Sequence, residues 1–250
     1  MAENQQAVVI ACAVLREVVR TGIEIPFIFM DYGLHLTPRK MRAAIQEQID
    51  ALAAPHLVLI GFGLCGNGLI GLQARHHTLI IPRVDDCVSF FLGSRAAYLR
   101  EFHAEPATYY ITPGWLECGG EPMSEHQKHC DKYGPAKAAL ISDALYGRYR
   151  KVCFVAFSPQ DLERYRPRAM RVAEFCRERW RWQYTERVGS DALIRRLLEF
   201  GRAAVPAGDL CVTEDFVIIK PGEEVRQEQF LMNETALTEK SGSCTTCTIK

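Results

Sequence analysis

The sequence predicts an α/β protein with a mostly parallel, helix-covered sheet, which is the Rossmann-like class of architecture. Short apolar runs typical of buried strands alternate along the chain with longer segments in which apolar residues recur at the helical period. Strands that alternate with helices of this length favour parallel pairing through helical crossovers. The apolar fraction of 48% and the charged fraction of 24% are those of a folded globular chain.

The strands are identified by apolar runs that end at turn-forming or polar residues. The predicted strands are, in chain order, 7–14, 26–30, 57–60, 78–81, 108–112, 152–157, 183–188 and 216–219. The third runs into the glycine-rich segment 61–68, and Pro82 stops the fourth. Pro113 and Gly114 close the fifth, so turn-forming residues and the limits of the apolar runs agree on where these strands end.

The helices are identified by start signals and by apolar residues at helical spacing. The predicted helices are, in chain order, 39–52, 85–99, 133–149, 158–180 and 190–200. Thr37 and Pro38 open the first, as a capping residue followed by proline at the first helical position. Ser158 and Pro159 give the fourth the same start.

Charge and hydropathy exclude several classes of protein. Lys plus Arg and Asp plus Glu each number 30, so the formal net charge is zero, which argues against nucleic-acid binding driven by excess positive charge. Every apolar run is far shorter than the roughly 20 residues that cross a bilayer. The first residues lack the pattern of a secretory signal. We therefore expect a cytoplasmic protein without nucleic-acid or membrane partners.

The chain is expected to form one α/β domain over residues 1–230, with a subdivision near 114–132 into two similar halves as the alternative. Residues 231–250 are expected to be a flexible tail that contains the C-x-x-C pair Cys244 and Cys247. That pair suits a metal-ligand donor, a redox couple or two incidental thiols. The sequence does not determine the oligomeric state.

The glycine-rich segment carries the spacing of a dinucleotide-binding fingerprint. Gly61, Gly63 and Gly66 follow a predicted strand, and Asp85 or Asp86 follows about 20 residues later. The crossover to the next strand has room for only a short helix and contains helix-poor residues. We therefore prefer a loop whose glycines allow close approach to a ligand or to another loop, and keep a dinucleotide-binding oxidoreductase as an alternative.

Cysteine is the unusual component, with ten residues in 250. In a reducing cytoplasm cysteines serve as buried filler, reactive thiols or metal ligands. Cys12 lies near the end of the first strand, Cys65 lies in the glycine-rich segment, and Cys87 follows the fourth strand at the first turn of a helix. Ligands of open parallel sheets bind beyond the carboxyl ends of strands, so these sulfurs are expected in one neighbourhood. The helix N-terminus is expected to stabilise a thiolate at Cys87.

Several stretches carry a family resemblance. They are IACAVLRE (10–17), LHLTP (34–38), GFGLCG (61–66), PRVDDCVSFFLG (82–93) and YYITPGW (109–115). Together they resemble the domain-of-unknown-function 1638 family of bacteria and archaea over about residues 7–200. The resemblance implies an α/β fold, cysteines at Cys12, Cys65 and Cys87, an anaerobic host, and proximity to corrinoid-dependent methyl-transfer systems. Ala13 stands where the family usually has glycine.

Three thiolates suit either a cubane iron–sulfur cluster with one iron free for substrate or a zinc ion with one open position. The apolar loops around the three cysteines, with few histidines, favour the cluster. The candidate catalytic residues nearby are His35, Arg83 and Asp86. Arg83 is expected to bind an anionic substrate, Asp86 to supply a proton and His35 to act as acid or base.

A second group of ligand-type side chains contains Cys118, His126, His129 and Cys130. The two histidines share a face only if this polar stretch is helical, and Cys130 is then expected to point elsewhere. A solvated lid loop is therefore preferred to a zinc site.

We therefore expect a metal-binding protein of anaerobic one-carbon or corrinoid-linked metabolism. If it is an enzyme, a metal-dependent transferase or lyase that acts on a small molecule fits best. The alternative is a non-catalytic protein that accepts a metal or methyl carrier and delivers it to a corrinoid or methyltransferase partner.

Overall fold

The strands form two separate sheets in a computed structural model that describes residues 6–18, 24–202 and 214–231. They are β1 (Gln6–Cys12), β2 (Phe27–Met30), β3 (His56–Gly61), β4 (Thr78–Pro82), β5 (Thr108–Ile111), β6 (Lys151–Ala156), β7 (Gln183–Val188) and β8 (Phe216–Ile219). The larger sheet has the order β2-β1-β3-β4-β8, and the smaller has the order β5-β6-β7. The fold is therefore α/β, as the sequence predicts.

Helices pack around both sheets. They are α1 (Pro38–Asp50), α2 (Val88–Leu92), α3 (Arg95–Ala104), α4 (Pro113–Cys118), α5 (Pro122–Tyr133), α6 (Pro135–Tyr146), α7 (Pro159–Trp180) and α8 (Ala192–Arg202). Short 3-10 helices cover Ala13–Val18, Tyr32–Leu36 and Gln227–Phe230. No helix in the described part of the chain is both long and apolar enough to cross a bilayer.

The larger sheet is parallel except at one edge. Ile10 of β1 pairs with Ile28 of β2 on one side and with Ile60 of β3 on the other, both in parallel register. β4 continues the parallel order, whereas β8 pairs with it antiparallel, with Ile80 opposite Ile218. The chain segments that follow β1, β3 and β4 therefore emerge at the same edge of the sheet.

The core of the larger sheet lies between its strands and two amphipathic helices. The four middle residues of β3 are buried, as expected for a strand covered on both faces. Met41, Ile45 and Ile49 of α1 are fully buried at four-residue spacing, which places them on one face of the helix. Leu193 and Leu197 of α8 are fully buried in the same core.

The smaller sheet has a core of its own, covered by α7. Phe154 of β6 and Cys176 of α7 are fully buried there. The chain returns to the larger core after β7, where the backbone N–H of Ser190 donates to the Phe91 carbonyl at 2.9 Å. Phe91 also stacks on Phe157, with 5.0 Å between ring centroids, so α2 packs against the segment that follows β6.

Two of the predicted helices need correction. The helix predicted over 85–99 is the pair α2 and α3, because Gly93 has φ 86° in the left-handed conformation that ends a helix. The helix predicted over 133–149 begins at Pro135, and the polar stretch before it is α5 rather than a lid loop. The single-domain boundary at 230 stays a prediction, and the tail with Cys244 and Cys247 lies outside the described residues.

Candidate functional site

Three predicted cysteines meet at the carboxyl edge of the larger sheet. Cys12 is the last residue of β1, Cys65 lies in the loop after β3, and Cys87 lies in the segment after β4. The three cysteines interact electrostatically. Repulsion from Cys65 raises the pKa of Cys12, and repulsion from Cys65 and Cys12 raises the pKa of Cys87. Adjacent parallel strands therefore bring together side chains that are far apart in sequence.

Cys12 is held as a thiol. It is only 5% exposed, and burial raises its pKa to about 12. The backbone at Val14 partly offsets this effect through a hydrogen bond to the sulfur, whereas Cys65, Cys118 and Asp31 add further repulsion. A thiolate at Cys12 thus requires a neighbouring positive charge to stabilise it.

Cys65 lies in a loop with an unusual backbone. The φ angles are 45° at Cys65 and 68° at both Gly66 and Asn67, so three consecutive residues are left-handed. This conformation costs about 1–2 kcal/mol at a residue other than glycine. A backbone hydrogen bond of 2.9 Å from the Cys65 N–H to the Asp85 carbonyl holds the loop against the segment after β4. Strained residues kept in place by their surroundings are common at functional sites.

The approach of these two loops depends on Gly63. A Cβ at this position would stand 2.6 Å from the Asp86 Cα. Next to it the Leu64 N–H donates to the Val84 carbonyl at 2.9 Å. Close approach to another loop, the preferred interpretation of the sequence, is therefore what Gly63 provides.

Cys87 lies against Cys65. It is 9% exposed and occupies the N-cap of α2. A hydrogen bond with the Cys65 side chain is the largest cause of a strongly raised pKa at Cys87, followed by burial. The sequence led us to expect a stabilised thiolate here, and that expectation is wrong for the metal-free chain. A helix of five residues cannot compensate for burial and for two neighbouring sulfurs.

A fourth cysteine joins this edge and was not assigned to it from the sequence. Cys118 ends α4, and it interacts electrostatically with Cys12 and Asp31. Gly114 makes this possible, since its backbone rests on the Val14 carbonyl of the 3-10 helix that follows β1. In the sequence Gly114 indicated only the end of a strand, so this contact was not predicted.

These sulfurs do not form a preorganised cage. Within the described ranges, no three side chains of His, Cys, Asp or Glu are arranged so that they could hold a metal ion. The sulfurs instead interact by the Cys65–Cys87 hydrogen bond and by electrostatic repulsion over longer range.

A cavity of about 250 Å³ lies beside the Cys87 segment, between Asp86 and Val88 on one side and the smaller sheet on the other, and none of the described cysteines lines it. His35 also lines it, so two of the three predicted catalytic residues share one cavity. The Asp86 carboxylate accepts a 2.9 Å hydrogen bond from the Val88 N–H and a second from the Tyr98 hydroxyl. Burial nevertheless raises the pKa of Asp86, which suits a group that releases a proton to a bound molecule.

Arg83, the third predicted catalytic residue, is not among the side chains that line this cavity. Its backbone N–H donates to the Asp215 carbonyl of the segment before β8 at 2.8 Å. Burial lowers the pKa of its guanidinium group. The structure therefore separates Arg83 from His35 and Asp86, and its role as an anion ligand stays a prediction.

The second ligand group forms a histidine–cysteine pair on α5. His126 Nε2 lies 3.5 Å from Cys130 Sγ, and Nδ1 of the same ring lies 2.8 Å from the Ser142 hydroxyl of α6. The expectation that Cys130 points away was wrong, because residues four apart on a helix share a face. Cys118 does not join this pair; its electrostatic partners lie around Cys12.

The three glycines of the dinucleotide fingerprint pack against other parts of the protein. Gly61 faces Ala11 of β1, where an added Cβ would lie 2.6 Å from the Ala11 Cβ, and an added Cβ at Gly66 would contact Pro38. Residues 62–77 are all described and contain no helix. A dinucleotide fingerprint needs a helix N-terminus for the pyrophosphate, so this geometry does not favour that alternative.

Comparison with known proteins places the chain in one family. No curated protein and no solved structure matches it. The model of the family described as "Protein of unknown function (DUF1638)" matches residues 29–198. That range contains Cys65, Cys87 and Cys118, whereas Cys12 precedes it. Because the match covers more than half of the chain, the protein belongs to the DUF1638 family.

Proposed function

We propose that this protein binds a thiolate-ligated metal centre at the carboxyl edge of the larger sheet, with Cys12, Cys65 and Cys87 as ligands. The observation that carries the proposal is that three cysteines follow three adjacent parallel strands at one edge of the sheet, where Cys65 is hydrogen-bonded to Cys87 and both interact electrostatically with Cys12. Structural filler does not require this arrangement, since the same core would accept alanine or valine.

The chemistry of the donors fits a soft metal. Cysteine sulfur selects zinc, copper(I) and iron–sulfur centres over hard cations. Burial and mutual repulsion keep Cys12 and Cys87 protonated in the metal-free chain. A bound cation removes that repulsion, and binding releases protons from the thiols. Rotation about χ1 at each cysteine is the movement available to bring the sulfurs closer together.

The surroundings favour an iron–sulfur cluster over zinc. Phe62, Phe90 and Phe91 are buried next to the edge that carries the cysteines. Catalytic zinc sites usually include histidine, and the nearest candidate, His35, has its Nδ1 only 2.5 Å from the Tyr32 carbonyl. Three cysteine ligands on a cubane cluster leave one iron for a substrate or for a fourth ligand.

The cavity beside Cys87 is the proposed substrate site. Asp86 is suited to release a proton there, since burial raises its carboxyl pKa, and His35 lines the same wall. A metal-dependent transferase or lyase reaction on a small molecule is the proposed activity. Its one-carbon or corrinoid-linked setting in an anaerobe is supported by the family resemblance alone.

A non-catalytic delivery role is the remaining alternative. It depends on Cys244 and Cys247, which lie outside the described residues. A protein that delivers its metal to a corrinoid or methyltransferase partner needs ligands that the partner can reach, whereas Cys12 and Cys87 are buried. Their burial therefore favours an enzyme over a carrier.

The test is metal and acid-labile sulfide content of the full chain purified without oxygen, with its visible spectrum. We expect about four irons and four sulfides per chain, lost in Cys65→Ser. Cys130→Ser is the matched control, because it removes a half-buried thiol on α5 outside the site. Thermal unfolding of both variants shows whether each one folds.

The measured metal content distinguishes an iron–sulfur cluster, a zinc ion and a chain without metal. Cluster content that is lost in Cys65→Ser and kept in Cys130→Ser supports the proposal. One zinc per chain with the same dependence supports the metal site and replaces the cluster by zinc. Absence of metal from the wild-type chain, after anaerobic reconstitution with iron and sulfide and with zinc, contradicts the proposal.

A further inference from the structure

The cavity beside Cys87 has an aromatic lining of a particular kind. Half of its lining residues carry benzene or indole rings, and they come from α3, β5, α4 and the segment after α6. They are Tyr98, Phe102, Tyr109, Tyr110, Trp115 and Tyr149. At about 250 Å³ the cavity is smaller than the pockets that hold drug-sized ligands, so its ligand is small.

The rings form walls at different angles. Tyr109 and Tyr149 are nearly perpendicular, with an interplanar angle of 88° and 5.2 Å between their centroids. Tyr98 and Phe102 stack at 6.1 Å and 25°. Trp115 is fixed by an edge contact with Phe91 at 5.9 Å. These ring contacts hold the aromatic side chains in place around the cavity.

The charged lining groups are acidic. Asp86 and Glu105 line the cavity, and no described lysine or arginine does. Glu105 is neutralised by Lys151, whose Nζ lies 2.5 Å from its carboxylate. Within the described residues Asp86 forms no ion pair, and its hydrogen-bond donors include the Val88 and Ser89 N–H groups and the Tyr98 hydroxyl. The cavity therefore combines one carboxyl group without a cationic partner with several aromatic side chains.

From this lining we propose that the cavity binds a small organic cation, namely a methylated tertiary or quaternary ammonium group. Aromatic faces carry negative electrostatic potential and attract such cations, which are too weakly hydrated to resist entry. A bound cation favours the ionised form of Asp86 and is attracted by that charge, while an anion would meet Asp86 without a compensating lysine or arginine among the described lining residues. The role of this cation as substrate of the metal centre rests on the proposed function, whereas its binding does not.

Binding is tested by titration calorimetry on the full chain with two probes of one shape. Choline carries a trimethylammonium group, and 3,3-dimethyl-1-butanol is its uncharged isostere. Cation–π attraction of about 1–2 kcal/mol corresponds to roughly five- to thirtyfold in affinity. We expect choline to bind at least about tenfold more tightly than the alcohol.

Two variants locate the site. Phe102 is 44% exposed at the rim, so Phe102→Leu removes a ring face without disturbing the core, and we expect choline affinity to fall about threefold. Asp86→Asn keeps an acceptor for the Val88 N–H and removes the charge, and we expect a fall of about tenfold. Leu140→Ala, at an exposed position on α6 outside the cavity, is the control and should bind choline as the wild type does.

Equal affinity for the two probes, or no saturable binding of either, overturns the proposal. Selective choline binding that both cavity variants leave unchanged also overturns it, because the cation then binds elsewhere. Metal content of the same samples separates this proposal from the proposed function. Selective choline binding by a chain that holds no metal supports the cation site and contradicts the metal centre. Metal content without choline selectivity supports the metal centre and contradicts the cation site.

Discussion

Gly63 lies directly against the backbone of Asp86, and this contact sets how closely the loop of Cys65 approaches the segment of Cys87. A Cβ at position 63 would stand 2.6 Å from the Asp86 Cα, a distance that real side chains do not reach. We therefore predict that Gly63→Ala separates the two loops and lowers the free energy of unfolding by about 1–3 kcal/mol, as other overpacking substitutions do. The same separation should reduce the metal content of the anaerobically purified chain.

Chemical denaturation and metal analysis measure the two effects, and Gly134→Ala is the matched control. Gly134 has φ 81° and ψ 159°, a conformation that essentially only glycine adopts, and nothing within 4 Å of an added Cβ, so alanine there carries a backbone penalty of about 1–3 kcal/mol and leaves the site intact. Metal content of Gly63→Ala equal to that of Gly134→Ala would show that the loop contact does not position Cys65.

Much of this edge was predictable from the sequence, because it follows from local patterns. All eight predicted strands are present, with ends within about two residues. Parallel strands place their following loops at one edge, so the neighbourhood of Cys12, Cys65 and Cys87 followed from counting strands. The Gly61–Gly68 segment was equally visible as a loop for close approach.

Other features depend on contacts that no local pattern encodes. Cys118 reaches Cys12 only because α4 rests on the 3-10 helix after β1 through Gly114. The raised pKa of Cys87 follows from its contact with Cys65, which outweighs the helix N-terminus that the sequence shows. The aromatic cavity draws on rings separated by more than one strand and helix, so its shape required the tertiary structure.

The buried thiols should resist alkylation in the folded, metal-free chain. Only a thiolate reacts with iodoacetamide, and burial raises the pKa of Cys12 to about 12. At about pH 8 roughly one Cys12 in ten thousand is then ionised, and the rate should rise about tenfold for each pH unit. Peptide mass spectrometry after timed labelling, with metal removed by chelator, measures modification of Cys12 and Cys87 separately.

The same labelling in guanidinium chloride is the control, since unfolding removes the burial that suppresses the reaction. Both cysteines should then be modified at the rate of an ordinary cysteine peptide. Alkylation of Cys12 in the folded chain at that unfolded rate would contradict the buried position at the end of β1.

His77 should make the fold less stable in mild acid. It is fully buried, and burial lowers its pKa, with repulsion from His76 and His56 acting in the same direction. Its Nδ1 accepts a 3.1 Å hydrogen bond from the His56 N–H, so the folded chain holds it neutral. The unfolded chain binds a proton near pH 6.5, and the folded chain binds it only at lower pH. The stability from neutral His77 is therefore complete above about pH 6.5 and falls as the pH decreases from there towards the folded pKa.

Thermal unfolding between about pH 7.5 and about pH 5 checks this slope. His77→Asn retains an acceptor for the His56 N–H but does not titrate, so its melting temperature should fall less over this range. The pKa of His126 is also lowered by burial, and some slope should therefore persist in the variant. Identical pH profiles for wild type and His77→Asn would exclude His77 as the source.

Cys118 is predicted to supply a fourth sulfur to the metal centre when no substrate is bound there. It interacts with Cys12 across the contact between α4 and the 3-10 helix, and it lies within residues 29–198 that match the family model. A displaceable fourth ligand adds to the affinity for the metal, and the other three cysteines still hold the cluster when it is removed. Cys118→Ala should therefore retain less metal than the wild type after exposure to chelator, whereas Cys130→Ala should behave as the wild type does. Unchanged metal retention in Cys118→Ala would mean that Cys12, Cys65 and Cys87 hold the metal without it.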